Sequence, residues 1–250
     1  MQPNGQNPGP APDPAHWFNT THWSVVLAAG QDATPQTSDA LERLCGTYWF
    51  PIFAYLRRSG HEFPDAQDLT QGFFAHLLEK DRLRSVHPAK GKFRSFLIAS
   101  LKHFLANEWD KRQTLKRGGQ FTFIPLDVEN GETRYHLEPF HELTPDKAFE
   151  RTWALAVLDA VRRRLQDEYT ADGKAELFET LQPYLSGDKG ATPYVEAASQ
   201  LGLTESAVKM AVLRLRRRFG ESLRQEIAQT VAEPSEIDEE IRCLFAAVSG

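Results

Sequence analysis

The stretch LGLTESAVKMAVLRLRRRF, residues 201–219, constrains the fold of this chain more than any other part of it. Gly202 reads as a turn between two runs of helical period. Ala198, four residues earlier, is small enough for a close helix crossing, and Leu201, Leu203 and Val208 supply the apolar positions that lock two helices across such a turn. Thr204 stands where a helix cap belongs. At about 100° per residue, Val208, Val212, Leu215 and Phe219 share one face and must pack inward. The opposite face collects Ser206, Met210, Leu213 and Arg217, flanked by Lys209 and Arg214.

Two apolar side chains on an outward face need cover. Thymine methyl groups would supply it, while the hydroxyl and cationic groups reach base edges or phosphates. The plainer alternative is a solvated basic helix with Met210 and Leu213 covered by a neighbouring element. The stretch alone favours a helix-turn-helix that enters a DNA groove.

The rest of the chain is read as helical. MQPNGQNPGPAPDPA, residues 1–15, is rich in Pro, Gly and Asn and is expected to be disordered. TTHWSVVLAAG reads as a short helix capped by Thr20 or Thr21. Longer helices are expected at about 38–58, 64–79 and 93–111, with Pro64 suited to a first turn. Thr144-Pro145-Asp146 is a start signal of cap, proline and acid, and helices then follow at about 145–169, 173–185, 193–201 and 204–228. Residues 116–143 have no helical period and read as an interdomain linker, with FTFIPL the one segment able to form a short strand. SEIDEEIRCLFAAV, residues 235–248, looks like an amphipathic terminal helix with an acidic start. The expected class is all-α, with two helical domains at 16–115 and 144–230, a flexible acidic linker at 116–143 and an acidic tail at 231–250.

The chain has 250 residues, 41% of them hydrophobic and 25% charged, which is ordinary for a globular protein. No apolar run approaches the roughly 20 residues of a membrane span, and no basic segment followed by an apolar core marks a secretory signal. Cys45 and Cys243 fit no metal-ligand spacing and imply a reducing compartment, so a cytoplasmic location is expected. The net charge of −5 conceals segregation. Residues 81–120 carry ten basic and three acidic side chains, whereas residues 126–150 and 221–250 each carry two basic and seven acidic ones. Affinity for phosphate follows the local field within about 10 Å, so two basic stretches remain compatible with DNA.

GKFRSFLIASLKHFLANEWDKRQTLKRGG, residues 91–119, places Phe93, Leu97, Leu101 and Phe104 on one inward face. Lys111, Arg112, Lys116 and Arg117 follow at its end. The helix dipole accounts for one or two such cations, at about 0.3–1 kcal/mol each, rather than four. Trp109 and His103 offer faces on which an unpaired base stacks. DAQDLTQGFFAHLL, residues 65–78, gathers Asp65, Asp68 and Gln71 on a helix surface with Leu69, Phe73 and Leu77 inward. Acids in first turns are stabilising even without a partner, so physics alone leaves their role open.

Together, the three stretches resemble those of a bacterial RNA polymerase sigma factor of the extracytoplasmic-function group, within the sigma-70 family. DAQDLTQGFF resembles the family's D-x-x-D-L-x-Q motif. FRSFLIASLKHFLANEWDKR resembles the following helix, in which F-R-x-[WF]-L and a basic end are typical. YVEAASQLGLTESAVKMAVLRLRRRF resembles the carboxyl-terminal helix-turn-helix. The match spans about residues 20–230 in the expected order. Departures are Glu108 and Trp109 within a usually more basic stretch, a long loop at 81–92, and extra segments at both ends.

The resemblance implies a partner for each stretch. Asp65, Asp68 and Gln71 would dock on the clamp helices of the polymerase β′ subunit. Lys90, Lys92, Asn107, Lys111 and Arg112 would contact the −10 element as it opens. Thr204, Ser206, Lys209, Met210, Leu213, Arg214 and Arg217 would read the −35 element. The implied partners are core RNA polymerase, including its β flap, promoter DNA and an anti-sigma or other regulator, with no cofactor and no metal. The rival is a helix-turn-helix regulator acting without polymerase, which gives residues 65–74 and 93–112 no purpose. An enzyme is not expected, since the chain has no Walker loop, H-E-x-x-H, paired Cys/His zinc spacing or nucleophile elbow.

Overall fold

A computed structural model of the chain describes residues 35–78, 92–114, 143–185 and 193–249, with side chains from residue 44 in the first stretch and to residue 109 in the second. All regular structure among these residues is helical. The helices are α1 (Pro35–Arg58), α2 (Phe63–Leu77), α3 (Phe93–Thr114), α4 (Pro145–Ala171), α5 (Ala175–Leu181), α6 (Tyr194–Leu201), α7 (Glu205–Ala228) and α8 (Ile237–Ser249), with short 3-10 turns at Gln182–Leu185 and Pro234–Glu236. The segments 1–15 and 116–143, the short helix expected after Thr20 and the FTFIPL strand lie outside the described residues, apart from Leu143. No described helix is long and apolar enough to cross a membrane.

Local chemistry sets the boundaries. Thr144 caps α4 by accepting a hydrogen bond from the Lys147 amide at 3.3 Å, and Thr204 caps α7 in the same way from Ala207 at 3.2 Å. Pro64 and Pro145 occupy first-turn positions, where a missing amide hydrogen costs nothing. Helix α1 continues through Pro51, which removes one backbone donor from its interior.

Helix α1 is central for a compositional reason. Every residue from Tyr48 to Leu56 is buried, and a helix that is apolar on all sides finds cover only between other elements. One side of α1 meets α2, where Phe53 stands edge-on to Phe63 at 5.5 Å. Its most extensive contact is with α4, whose buried Trp153, Val157, Val161 and Leu165 belong to the same core. Helix α2 reaches α3 at Gly72, where an added Cβ would come within 3.3 Å of the Phe104 ring.

The buried residues of α1–α3 and of α4–α8 belong to one continuous core. Two bonds far apart in sequence tie its ends. The Phe93 amide, opening α3, donates to the Thr230 carbonyl just beyond α7 at 3.0 Å. The Arg58 guanidinium donates to the Leu143 carbonyl ahead of α4. The terminal helix α8 packs on α4 and α7, with Ile237 and Leu244 buried and Ile241, Ala247 and Val248 against the core.

Candidate nucleic-acid interface

Helices α6 and α7 meet at Gly202, which takes the left-handed conformation (φ 63°, ψ 29°) that side chains other than Gly and Asn rarely adopt. The Leu203 amide donates to the Ala198 carbonyl at 2.9 Å, closing the end of α6. Val208, Val212 and Leu215 are buried as their spacing predicts, and Phe219 is half-buried against them. Leu203 departs from expectation. It is exposed rather than locking the two helices, while Val208 is buried in the core and half-buried Leu201 packs against it.

The outward face of α7 is intact. Ser206, Lys209, Met210, Leu213, Arg214 and Arg217 are all exposed, as is Thr204, whose hydroxyl oxygen serves the cap. Met210 is 48% and Leu213 59% exposed, so no described element covers them. The cover from a neighbouring element that the plainer alternative requires is therefore absent among the described residues.

Several cations beside that face are held in place. Lys209 pairs with Glu205 at 2.5 Å and lies 5.5 Å above the Tyr194 ring, and the Glu205 bond raises the ammonium above its ordinary pKa. Tyr194 in turn stacks on Tyr184 at 4.9 Å. Arg216 grips the Tyr184 carbonyl through two nitrogens at 3.1 and 2.8 Å, fixing α7 against the turn after α5. Arg217 pairs with Glu221 and Arg218 with Glu168, each at 2.9 Å. Arg214 has no ion-pair partner among the described residues and is the cation most available to a ligand. Glu205, Glu221 and Tyr194 shape this face although sequence reading did not select them; their i,i+4 spacing to lysine and arginine was the signal for the two acids.

On α2, Asp65 and Asp68 are exposed, one turn apart, and neither has an ion-pair partner among the described residues. Gln71 is half-buried on the following turn, while Leu69, Phe73 and Leu77 are buried beneath. On α3, Asn107 is exposed and Trp109 is 66% exposed. Lys111 and Arg112 lie on α3 with side chains outside the description, and Lys90 lies outside the described residues.

Lys92 is placed differently from a free DNA contact. Its Nζ bonds Glu240 at 3.0 Å and Glu239 at 3.4 Å, both on α8. Arg94, two residues on, bonds the same Glu240 through Nε at 2.6 Å and Nη2 at 3.2 Å, bonds Glu150 at 2.9 Å, and lies 5.0 Å from the Trp153 ring centre. Burial opposes the charge on Lys92 and Arg94, but the Glu240 bonds prevail and raise both pKa values. Sequence reading missed Arg94 and Glu240. The available signal was an acid at the turn between Ile237 and Leu244, inside an apolar stripe.

No group of three His, Cys, Asp or Glu side chains able to hold a metal ion occurs among the described residues. No protein family, curated protein or solved structure matches the chain.

Proposed function

We propose that this chain is a sigma factor, which binds core RNA polymerase and directs it to promoters. The observation that carries the proposal is the outward face of α7, where two uncovered apolar side chains, Met210 and Leu213, sit among Lys209, Arg214 and Arg217 beyond a tight glycine turn. Such a face suits a major groove, with apolar contact to thymine methyls and cations on guanine edges or phosphates. The order of the three sequence stretches, which resembles that of a sigma factor, supports this reading over a helix-turn-helix regulator.

In this role residues 16–115 act on polymerase and the −10 element, residues 144–230 act on the −35 element, and the acidic segment 116–143 links them. Asp65, Asp68 and Gln71 face the β′ clamp helices. Asn107, Trp109, Lys111 and Arg112 follow the opened strand, and the α7 face reads the −35 duplex. Run-off transcription with purified core polymerase on genomic promoter fragments tests this. Initiation at defined sites that depends on the chain is the expected result. Sequence-specific DNA binding without any stable complex with core polymerase would instead identify a helix-turn-helix regulator.

A further inference from the structure

Glu240 has 0% of its surface exposed, yet it is a carboxylate in the middle of the apolar stripe by which α8 docks. Ile237 precedes it by one turn and Leu244 follows by one turn, and both are buried. A fully buried carboxylate is rare and costly unless its oxygens are met. Here Arg94 approaches with two nitrogens, at 2.6 and 3.2 Å, and Lys92 with a third at 3.0 Å. Docking of α8 does not require this arrangement, since buried ion pairs are often replaced by apolar residues without loss of stability. The arrangement instead makes the pocket demand an anion. A guanidinium fork beside an ammonium suits a phosphate as well as a carboxylate.

We propose that Lys92 and Arg94 form a site for a backbone phosphate of DNA, occupied in the free chain by Glu240, so that α8 and DNA exclude one another. The site deepens the function proposed above and rests on its DNA-binding part. Both cations stand at the opening of α3, the helix that carries exposed Asn107 and Trp109. Undocking α8 removes Glu239 and Glu240 together and leaves Arg94 braced by Glu150 and the Trp153 ring on α4. A guanidinium kept in position while its carboxylate departs is ready for the incoming phosphate. The apolar contacts of Ile237, Ile241 and Leu244 set how strongly DNA must bind to displace the helix.

The test is the affinity of the full chain for a fluorescent DNA duplex containing an unpaired bubble, measured against salt without polymerase. Glu240→Gln keeps the shape of the side chain and removes its charge. It is expected to tighten binding roughly three- to tenfold and to steepen the salt slope by about one, because a single added phosphate contact contributes roughly 0.7–0.9. Adding Arg94→Gln to that variant abolishes the gain. Unchanged affinity and slope in a Glu240→Gln chain of normal helicity overturns the proposal. Should that variant lose helicity, Leu244→Ala decides, since it loosens α8 and leaves every charge in place. Faster amide exchange in α8 with tighter DNA binding supports the site, and faster exchange with no tightening overturns it. Tighter DNA binding by a chain that supports no transcription with core polymerase would sink the sigma-factor function and keep this site. Transcription with an unaltered Glu240→Gln affinity would do the reverse.

Discussion

Met210 and Leu213 illustrate how much a pair of exposed apolar side chains on one helix face can decide. An exposed leucine alone means little, because more than half of a folded surface is apolar. Two of them on one helix face, between cations and opposite the buried Val208, Val212 and Leu215, form a pattern that solvation does not require. Alanine at Lys209, Met210, Leu213 or Arg217 is therefore expected to leave the melting temperature nearly unchanged, since all four are exposed and the ion pairs of Lys209 and Arg217 lie at the surface, where such pairs contribute little. If Arg217 or Lys209 meets a base edge, its loss weakens binding to the matching −35 element roughly five- to a hundredfold and relaxes specificity there. If it meets only phosphate, binding weakens alike on all sequences and the salt slope falls by about one. Titrations of matched and scrambled duplexes at several salt concentrations separate these cases, and four silent substitutions would remove α7 as the reader of DNA. Val208→Asp buries an unpaired charge and is expected to unfold the region around α6 and α7, visible as lost helicity.

At the scale of elements, the turn between α6 and α7 depends on one backbone conformation. Gly202→Ala is expected to destabilise the chain by about 1 kcal/mol or somewhat more, because its Cβ disfavours a positive φ. Gly202→Asn should recover part of that loss, since asparagine tolerates the left-handed region better. Denaturant melts of the two variants check the order; alanine as stable as glycine would contradict it. Helix α2 presents the other testable element. Its inward face is filled by Ala66, Leu69, Phe73 and Leu77, so the outward acids are not needed for packing. Replacing Asp65 and Asp68 together with lysine should weaken capture of core polymerase while circular dichroism stays unchanged. Equal capture by wild type and variant would remove α2 as the polymerase-binding element.

Over the whole molecule, the contact between α1 and α4 matters most, because it joins the two halves that the sequence presents as separate. Trp153 lies at this contact with no exposed surface. Trp153→Ala is expected to cost about 3–5 kcal/mol, as large buried side chains do. Amide exchange should then accelerate in α1 and in α7 together; acceleration confined to α4 would mean that the halves unfold independently. The helices, their caps at Thr144 and Thr204 and the turn at Gly202 were legible in the sequence because each depends on neighbours within one or two turns. The inward stripe of α7 was legible for the same reason, whereas the exposure of Met210 and Leu213 on its outward face was decided only by the tertiary structure. The partner of each apolar stripe was not legible, since stripes of similar width compete and only the assembled chain decides between them. Residues 16–115 and 144–230 therefore read as separate domains, whereas tertiary packing gives α1 and α4 one core. Lys92 likewise read as a contact to the −10 element and Arg94 was not singled out, and only folding brings Glu240, 146 residues after Arg94, into contact with both. Periodicity reports the face of a helix, and tertiary structure alone reports what that face meets.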